Sequence, residues 1–256
     1  MDELQKYLFD LNGYIIIPNA INKKKIDELN TIINNQNLPR PGLLTNEARF
    51  GGSGSDYDNT AGFLDWDKSL CDLLDHESIL SQLIYILGDG FRLDHYYGIH
   101  MRKGTERLNL HGGNTPYAPP DFYHYRDGKI FNGLVVVSWN LTDTGPNLGG
   151  FCVIPGSHKS NIECPQDIRY QHENHDCVIV PEVSAGSVVI FTEALTHGTA
   201  EWKGETDRRS LLFKYSPSIQ SWDNNYPKMP ENKKFITNRQ KLLFEPPYHN
   251  RRNSFL

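Results

Sequence analysis

The chain has 256 residues (29.3 kDa), a net charge of −5 and a pI near 6.0, a balance that argues against general binding of nucleic acid or of an anionic membrane surface. With 38% hydrophobic and 22% charged residues it has the composition of a globular chain, not a disordered one, and it is long enough to bury a sizeable core as one domain. Four cysteines (Cys71, Cys152, Cys164, Cys177) show no C-x-x-C and no framework spacing, which reads as thiols in a reducing compartment and excludes a disulfide scaffold.

Asp2 to Asp10 reads as a short helix and Tyr14 to Ile17 as an edge strand. Asn22 to Asn35 reads as a helix opened by an asparagine cap, with Ile26, Leu29, Ile32 and Ile33 as one apolar stripe that packs on a sheet. Gln36 to Asp65, with Arg49-Phe-Gly-Gly-Ser-Gly at its centre, is expected to be a loop. Helices follow near Lys68 to Leu74 and Glu77 to Leu87, the second ended by Gly88. In the strand-like run Phe91 to Met101, His95 and His100 fall on opposite faces, so at most one points inward. The run Glu106 to Leu110 closes on His111. Beyond it, Asn114 to Arg126 interleaves aromatics with proline and polar groups. Tyr117, Phe122 and Tyr123 there suit a lid over a substrate; the alternative is a surface loop anchored by tyrosine packing. Val188 to Phe191 is a buried strand, His197 opens the next after a short turn, and Arg208 begins another. Pro230 to Phe244 reads as a last helix with proline near its first turn, able to close one end of the fold or to form a dimer contact. The opening Met-Asp-Glu-Leu-Gln carries no apolar signal core, and no stretch approaches the roughly 18 residues of a spanning helix, so a cytoplasmic location is the default expectation.

The chemistry concentrates at His111 and His197. Non-haem Fe(II) is commonly held by two histidines and one carboxylate on one face, which leaves the other positions open. His111 lies at a strand end, where the first histidine of such a site belongs, but the residue two further on is Gly113, not a carboxylate. Eleven residues after His197, Arg208 starts a strand with Ser210 on the same face. A guanidinium with a hydroxyl beside it makes a fork for the far carboxylate of a dicarboxylic cosubstrate, which suits 2-oxoglutarate. Arg209 is the second choice because it faces the other side, and an ion pair of Arg208 with Asp207 or Glu205 is the bland alternative.

Several motifs in combination give the chain a family resemblance. They are Leu11-Asn-Gly13-Tyr-Ile-Ile-Ile-Pro18, Val137-Ser-Trp139-Asn-Leu-Thr-Asp143, Gly149-Gly150 leading into Pro155-Gly-Ser-His-Lys159, His197-Gly198 and Arg208-x-Ser210. Over roughly residues 5 to 218 the chain resembles the phytanoyl-CoA dioxygenase family of Fe(II)/2-oxoglutarate oxygenases. The resemblance implies a mainly β fold with flanking helices around a double-stranded β-helix (jelly-roll, cupin-like) core. It implies a single domain, with N-terminal helices and loop over 1–90, the β-helix over 91–218 and a C-terminal helix and tail over 219–256. It further implies metal ligands at His111 and His197, 2-oxoglutarate binding at Arg208 and Ser210, Fe(II), 2-oxoglutarate and O2 as cofactors, and a small-molecule substrate. His158, in the Pro-Gly-Ser turn, reads as exposed and structural.

Gly113 departs from the family pattern and leaves three readings open. A hydroxylase takes its carboxylate from elsewhere, Glu193 being the best candidate, ahead of Glu106 and Asp94. A halogenase places chloride, or water, where Gly113 clears the volume. A non-catalytic cupin-like binding protein uses the barrel as a pocket. The spacing His172-x-x-His175 with Cys177 lacks the four ligands of a structural zinc site and reads as surface loop.

Overall fold

The computed structural model describes residues 1–53, 61–170 and 175–255. Helix α1 (Glu3–Asn12) starts on a reciprocal cap: the Asp2 carboxylate accepts from Gln5 N at 2.8 Å, and Gln5 Oε1 accepts from Asp2 N at 3.2 Å. It stops at Gly13, whose φ of 80° turns the chain directly into β1 (Tyr14–Ile17). In α2 (Lys23–Asn34) the Asn22 side chain caps Lys25 N at 3.0 Å, and Leu29 and Ile33 are buried with Ile26 and Ile32 packed beside them.

The stretch expected to be one loop from Gln36 to Asp65 contains an edge strand, β2 (Arg49–Ser53), which pairs with the next long strand. Its glycines hid it, yet one of its few side chains, Phe50, lies over Gly98 and stacks on Trp66 at 5.9 Å. Helices α3 (Lys68–Cys71) and α4 (Glu77–Leu87) follow, then β3 (Arg92–Met101) and β4 (Leu108–His111). A hairpin of β5 (Tyr123–Arg126) and β6 (Lys129–Asn132) turns on Asp127 and Gly128, both at positive φ, as a two-residue hairpin turn requires. The remaining elements are β7 (Val135–Asn140), β8 (Gly150–Val153), α5 (Gln166–Tyr170), β9 (Val188–Thr192), β10 (His197–Ala200), β11 (Arg208–Ser216) and α6 (Asn238–Leu242). The last helix is far shorter than the expected Pro230 to Phe244, since its cap is Thr237. Gln240 and Arg239 tie it to Asp75, which docks it beside α3.

Strands β1-β9-β7-β11-β3-β2 form a six-stranded antiparallel sheet, and β4-β10-β8 form a three-stranded one facing it. This is the double-stranded β-helix, with helices packed on the outer face of the large sheet. Period-two alternation sorts the side chains. Val135, Val137, Trp139, Val188, Ile190, Leu211, Phe213 and Tyr215 join the helix-side core, while Val136, Val189 and Phe191 meet Phe151 and Val153 of the small sheet. On β11 the same rule turns Arg208, Ser210, Leu212 and Lys214 to the inside. Strands β1 and β2, both from the first ninety residues, complete the large sheet. Among the described residues no helix is long and apolar enough to cross a membrane.

Candidate metal and cosubstrate site

His111 ends β4 and His197 starts β10, and the two are paired directly across the antiparallel ladder. Their rings lie 4.3 Å apart between centroids. Each Nδ1 faces a main-chain carbonyl, Asn109 O at 3.1 Å and Leu195 O at 2.7 Å. A carbonyl only accepts, so each Nδ1 carries the proton and each Nε2 keeps its lone pair for a metal. Burial, and then the neighbouring His111, push His197 down to about 3, and desolvation of its ring, packed against His197, likewise lowers His111. Both rings are therefore neutral at physiological pH.

Glu193 meets this pair from the turn between β9 and β10. One ligand atom each from His111, Glu193 and His197 lie within 4.8 Å of one another, with Glu193 Oε2 3.6 Å from His197 Nε2. The other oxygen, Oε1, pairs with Lys214 Nζ at 2.7 Å, with Glu193 buried and the Lys214 side chain only 13% exposed. Burial alone would raise the Glu193 carboxyl, but the Lys214 ammonium, then His197 and His111, hold it far below the usual carboxylate range. Sequence reasoning missed Lys214. It lies on the inward face of β11 with Arg208, Ser210 and Leu212, so the period-two pattern carried the signal.

Backbone packing holds the turn in place. A Cβ on Gly112, at φ 71°, would stand 2.5 Å from Glu193 O and 2.6 Å from Leu195 O, so only glycine lets the end of β4 lie against the 193–195 turn. The Pro-Gly-Ser-His-Lys segment braces the same turn: Ser157 Oγ accepts from Thr196 N at 2.8 Å, and Ile154 N donates to Thr196 O at 3.0 Å. From α5, Arg169 donates to Leu110 O and Gly112 O on either side of His111.

Further along β11, Arg208 is buried and faces no carboxylate among the described residues; its Nη1 meets Met101 Sδ at 3.0 Å. Burial pushes its guanidinium down to about 10. Its Nε and the neighbouring Ser210 Oγ are both enclosed and without a hydrogen-bond partner. Two orphaned donors, one of them on the buried guanidinium itself, on the large sheet that faces the histidine-bearing strands, fit the far carboxylate of 2-oxoglutarate. The expected ion pairs do not form, since Asp207 binds His100 and Glu205 binds Lys103. Arg209 faces outward and reaches Asn30 of α2 at 3.2 Å.

Gly113 lies elsewhere. Its φ of 106° aims a Cβ at Thr196 Oγ1 and Arg169 Nη2, and it lines a separate cavity with Ile154, Pro155 and Cys164, not the one lined by His111, Glu193 and His197. Tyr123 is not a lid residue. It is buried, packs on Phe9 and His158, and donates to Asp10 Oδ1 at 2.5 Å, because its strand alternation turns it into the helix-side core. Phe122 and the exposed Tyr117 stack on His124 of the hairpin and do not line the metal cavity. His158 is buried, contrary to its expected exposure, since Gly156 at φ 80° turns its ring under α1, where Nε2 meets Asp10 O at 3.0 Å. His175 and Cys177 stand on the surface side of a loop, and His172 lies outside the described residues.

Comparison with known proteins identifies the family and the fold. The family model of phytanoyl-CoA dioxygenase (PhyH) matches residues 9–210. HygX from Streptomyces hygroscopicus, solved with nickel and 2-oxoglutarate, superposes with a TM-score of 0.73 at 21% identity over 93% of this chain and 94% of its own; its iron-bound form gives 0.70 at the same identity and coverage. The carbocyclase SnoK from nogalamycin biosynthesis, described as non-haem and α-ketoglutarate dependent, gives 0.58 at 14% identity over 91% of this chain and 89% of its own. No curated protein sequence matches. The family match spans most of the 256 residues, and the chain belongs to the phytanoyl-CoA dioxygenase family of Fe(II)/2-oxoglutarate-dependent oxygenases, whose cofactors are Fe(II), 2-oxoglutarate and O2.

Proposed function

We propose that the chain hydroxylates an unactivated C–H bond of a small molecule, with Fe(II) held by His111, His197 and Glu193 and 2-oxoglutarate anchored by Arg208 and Ser210. The observation that carries this reading is the Glu193 carboxylate, which stands beside the histidine pair where the family's usual carboxylate position is Gly113. Bound there, Fe(II) and 2-oxoglutarate supply oxygen activation, the cosubstrate leaving as succinate and carbon dioxide while the substrate is oxidised.

The protein's part is positioning and exclusion of water. Lys214 holds Oε1 of Glu193 and leaves Oε2 directed at the histidines. The two carbonyls on Nδ1 fix both imidazole planes, and Phe151 and Phe191 wall the far side of His197, the second with its ring centroid at 4.7 Å. Arg208 supplies the positive charge that a dicarboxylate's far end neutralises, so a buried cation acquires its partner only when the cosubstrate binds. The solved HygX complex with nickel, 2-oxoglutarate and hygromycin B supports a small-molecule substrate for a chain of this fold.

The halogenase alternative needs the halide to occupy space opened by Gly113. The separate cavity on which Gly113 borders counts against it, as does a carboxylate already beside the histidines. The test is the anaerobic visible spectrum of protein with Fe(II) and 2-oxoglutarate, recorded with and without chloride. A metal-to-cosubstrate band indifferent to chloride is expected. A band that appears or shifts only with chloride would replace hydroxylation by halogenation, and no band would favour a binding protein. In the same assay Gly113→Asp, whose side chain points at Thr196 and Arg169, should leave the band where it is in the parent protein.

A further inference from the structure

Within electrostatic reach of Glu193, the segment before β5 brings a carboxylate with no partner among the described residues. Asp121 is partly buried, its Oδ1 is fully enclosed, and its side chain makes no hydrogen bond or ion pair among the described residues. Its place is set by main-chain bonds: Pro120 O accepts from Leu134 N at 2.8 Å, and Leu134 O accepts from Glu193 N at 2.9 Å. Pro120 O also accepts from Gln220 Nε2 at 2.9 Å, which joins this turn to the segment that carries Trp222. Trp222 lies over His95, with ring centroids 5.1 Å apart, and its own backbone N–H donates to Asp94 at 2.9 Å. His95 in turn is held by Asp94 Oδ1 at 2.9 Å and stacks toward Tyr97, a wall residue of the metal cavity.

Charge separates Asp121 from its neighbours. Glu193 is matched by Lys214 at 2.7 Å and Asp94 by Arg92 at 3.2 Å, so the local cations are already engaged. A carboxylate enclosed without a donor is unfavourable unless a ligand supplies one. We propose that Asp121 is a specificity-determining residue that anchors a protonated amine of the substrate, with the half-exposed face of Trp222 as the adjoining wall. The choice of an amine over a bare hydroxyl rests on charge: an ammonium supplies both the missing donor and the missing cation, and it is favoured next to an indole face. Burial, and then Glu193, push the Asp121 carboxyl up to about 6, a shift that a bound cation opposes. This inference rests on the oxygenase reading, since it places the substrate's amine next to that metal centre.

The experiment is calorimetric titration of the protein, loaded with Ni(II) and 2-oxoglutarate, with 2-deoxystreptamine and with scyllo-inositol, two polyhydroxylated rings of which only the first carries amines. The amine is expected to bind at least about tenfold more tightly, the scale of one hydrogen bond to a charged group. Asp121→Asn should erase that preference while Ni(II) and 2-oxoglutarate uptake stays unchanged, and Asp121→Glu should restore part of it. Equal binding of the two rings, no binding of the amine, or a preference that survives in Asp121→Asn would each overturn the proposal. The titration is repeated without metal: an Asp121-dependent preference there, in protein that takes up neither Ni(II) nor 2-oxoglutarate, would overturn the oxygenase reading and leave the amine anchor standing.

Discussion

Replacing Glu193 by Gln, alone and together with Lys214→Met, separates a structural role of the carboxylate from a role at the metal. In the single variant the Lys214 ammonium stays buried without its partner 2.7 Å away, and breaking a buried pair in this way costs about 3–5 kcal/mol. Domains of this size lose roughly 2–4 °C of Tm per kcal/mol, so the apo single variant should melt on the order of 10 °C lower. Removing both charges takes away the orphaned cation, and the double variant should recover most of that loss. Metal binding should not recover. Loss of one of three ligands should weaken Ni(II) by at least about 100-fold in both variants, more than the 10-fold to 100-fold typical of removing an outer partner. Differential scanning fluorimetry of the apo proteins and calorimetric titration with Ni(II) read the two effects independently. A double variant that binds Ni(II) as the parent does would refute Glu193 as a ligand, and an unchanged Tm in the single variant would refute the cost assigned to the pair.

Arg208→Met should weaken 2-oxoglutarate by about 10-fold to 100-fold through loss of charged hydrogen bonds, while apo stability holds or rises because an unpaired buried cation is gone; undiminished cosubstrate binding by calorimetry would move the anchor elsewhere. His158 supplies a pH prediction. Burial, and then Lys159, push its folded-state value from 6.5 down to about 4, so the folded protein favours neutral imidazole. Its stabilisation is complete above 6.5 and is lost as pH falls from there toward 4, a total of about 3 kcal/mol at 1.36 kcal/mol per unit. Urea unfolding between those pH values should show that slope in the parent protein and a shallower one in His158→Gln; identical slopes would remove His158 as the cause.

Much of the fold was legible because local chemistry and long-range packing agree. The Asp2 and Asn22 caps, Gly13 and Gly88 as terminators, the buried apolar run of β9 and the facing of Arg208 and Ser210 on β11 are each written in a few consecutive residues. Strand β2 was hidden because Gly51 and Gly52 give it no apolar pattern; its strand character comes from pairing with β3. The β5–β6 hairpin was expected as a lid or surface loop, because the Asp127-Gly128 turn signal was overshadowed by the aromatic residues around it. Tyr123 and His158 look like surface residues of loops, yet they pack on each other at 4.5 Å beneath α1, an encounter of segments thirty-five positions apart.

For the site, the sequence by itself determined the candidate residues and which way each strand presents them: two histidines at strand ends, and Arg208 with Ser210 two apart on one face, follow from period-two geometry and side-chain chemistry. Tertiary structure alone decided what those residues meet. It put His111 opposite His197 by strand register, aimed Gly113 at Thr196 and away from the metal cavity, and joined Glu193 in a turn to Lys214 on a different strand. A pattern along one strand specifies direction but not neighbours, and the charge balance of a buried site is a property of neighbours.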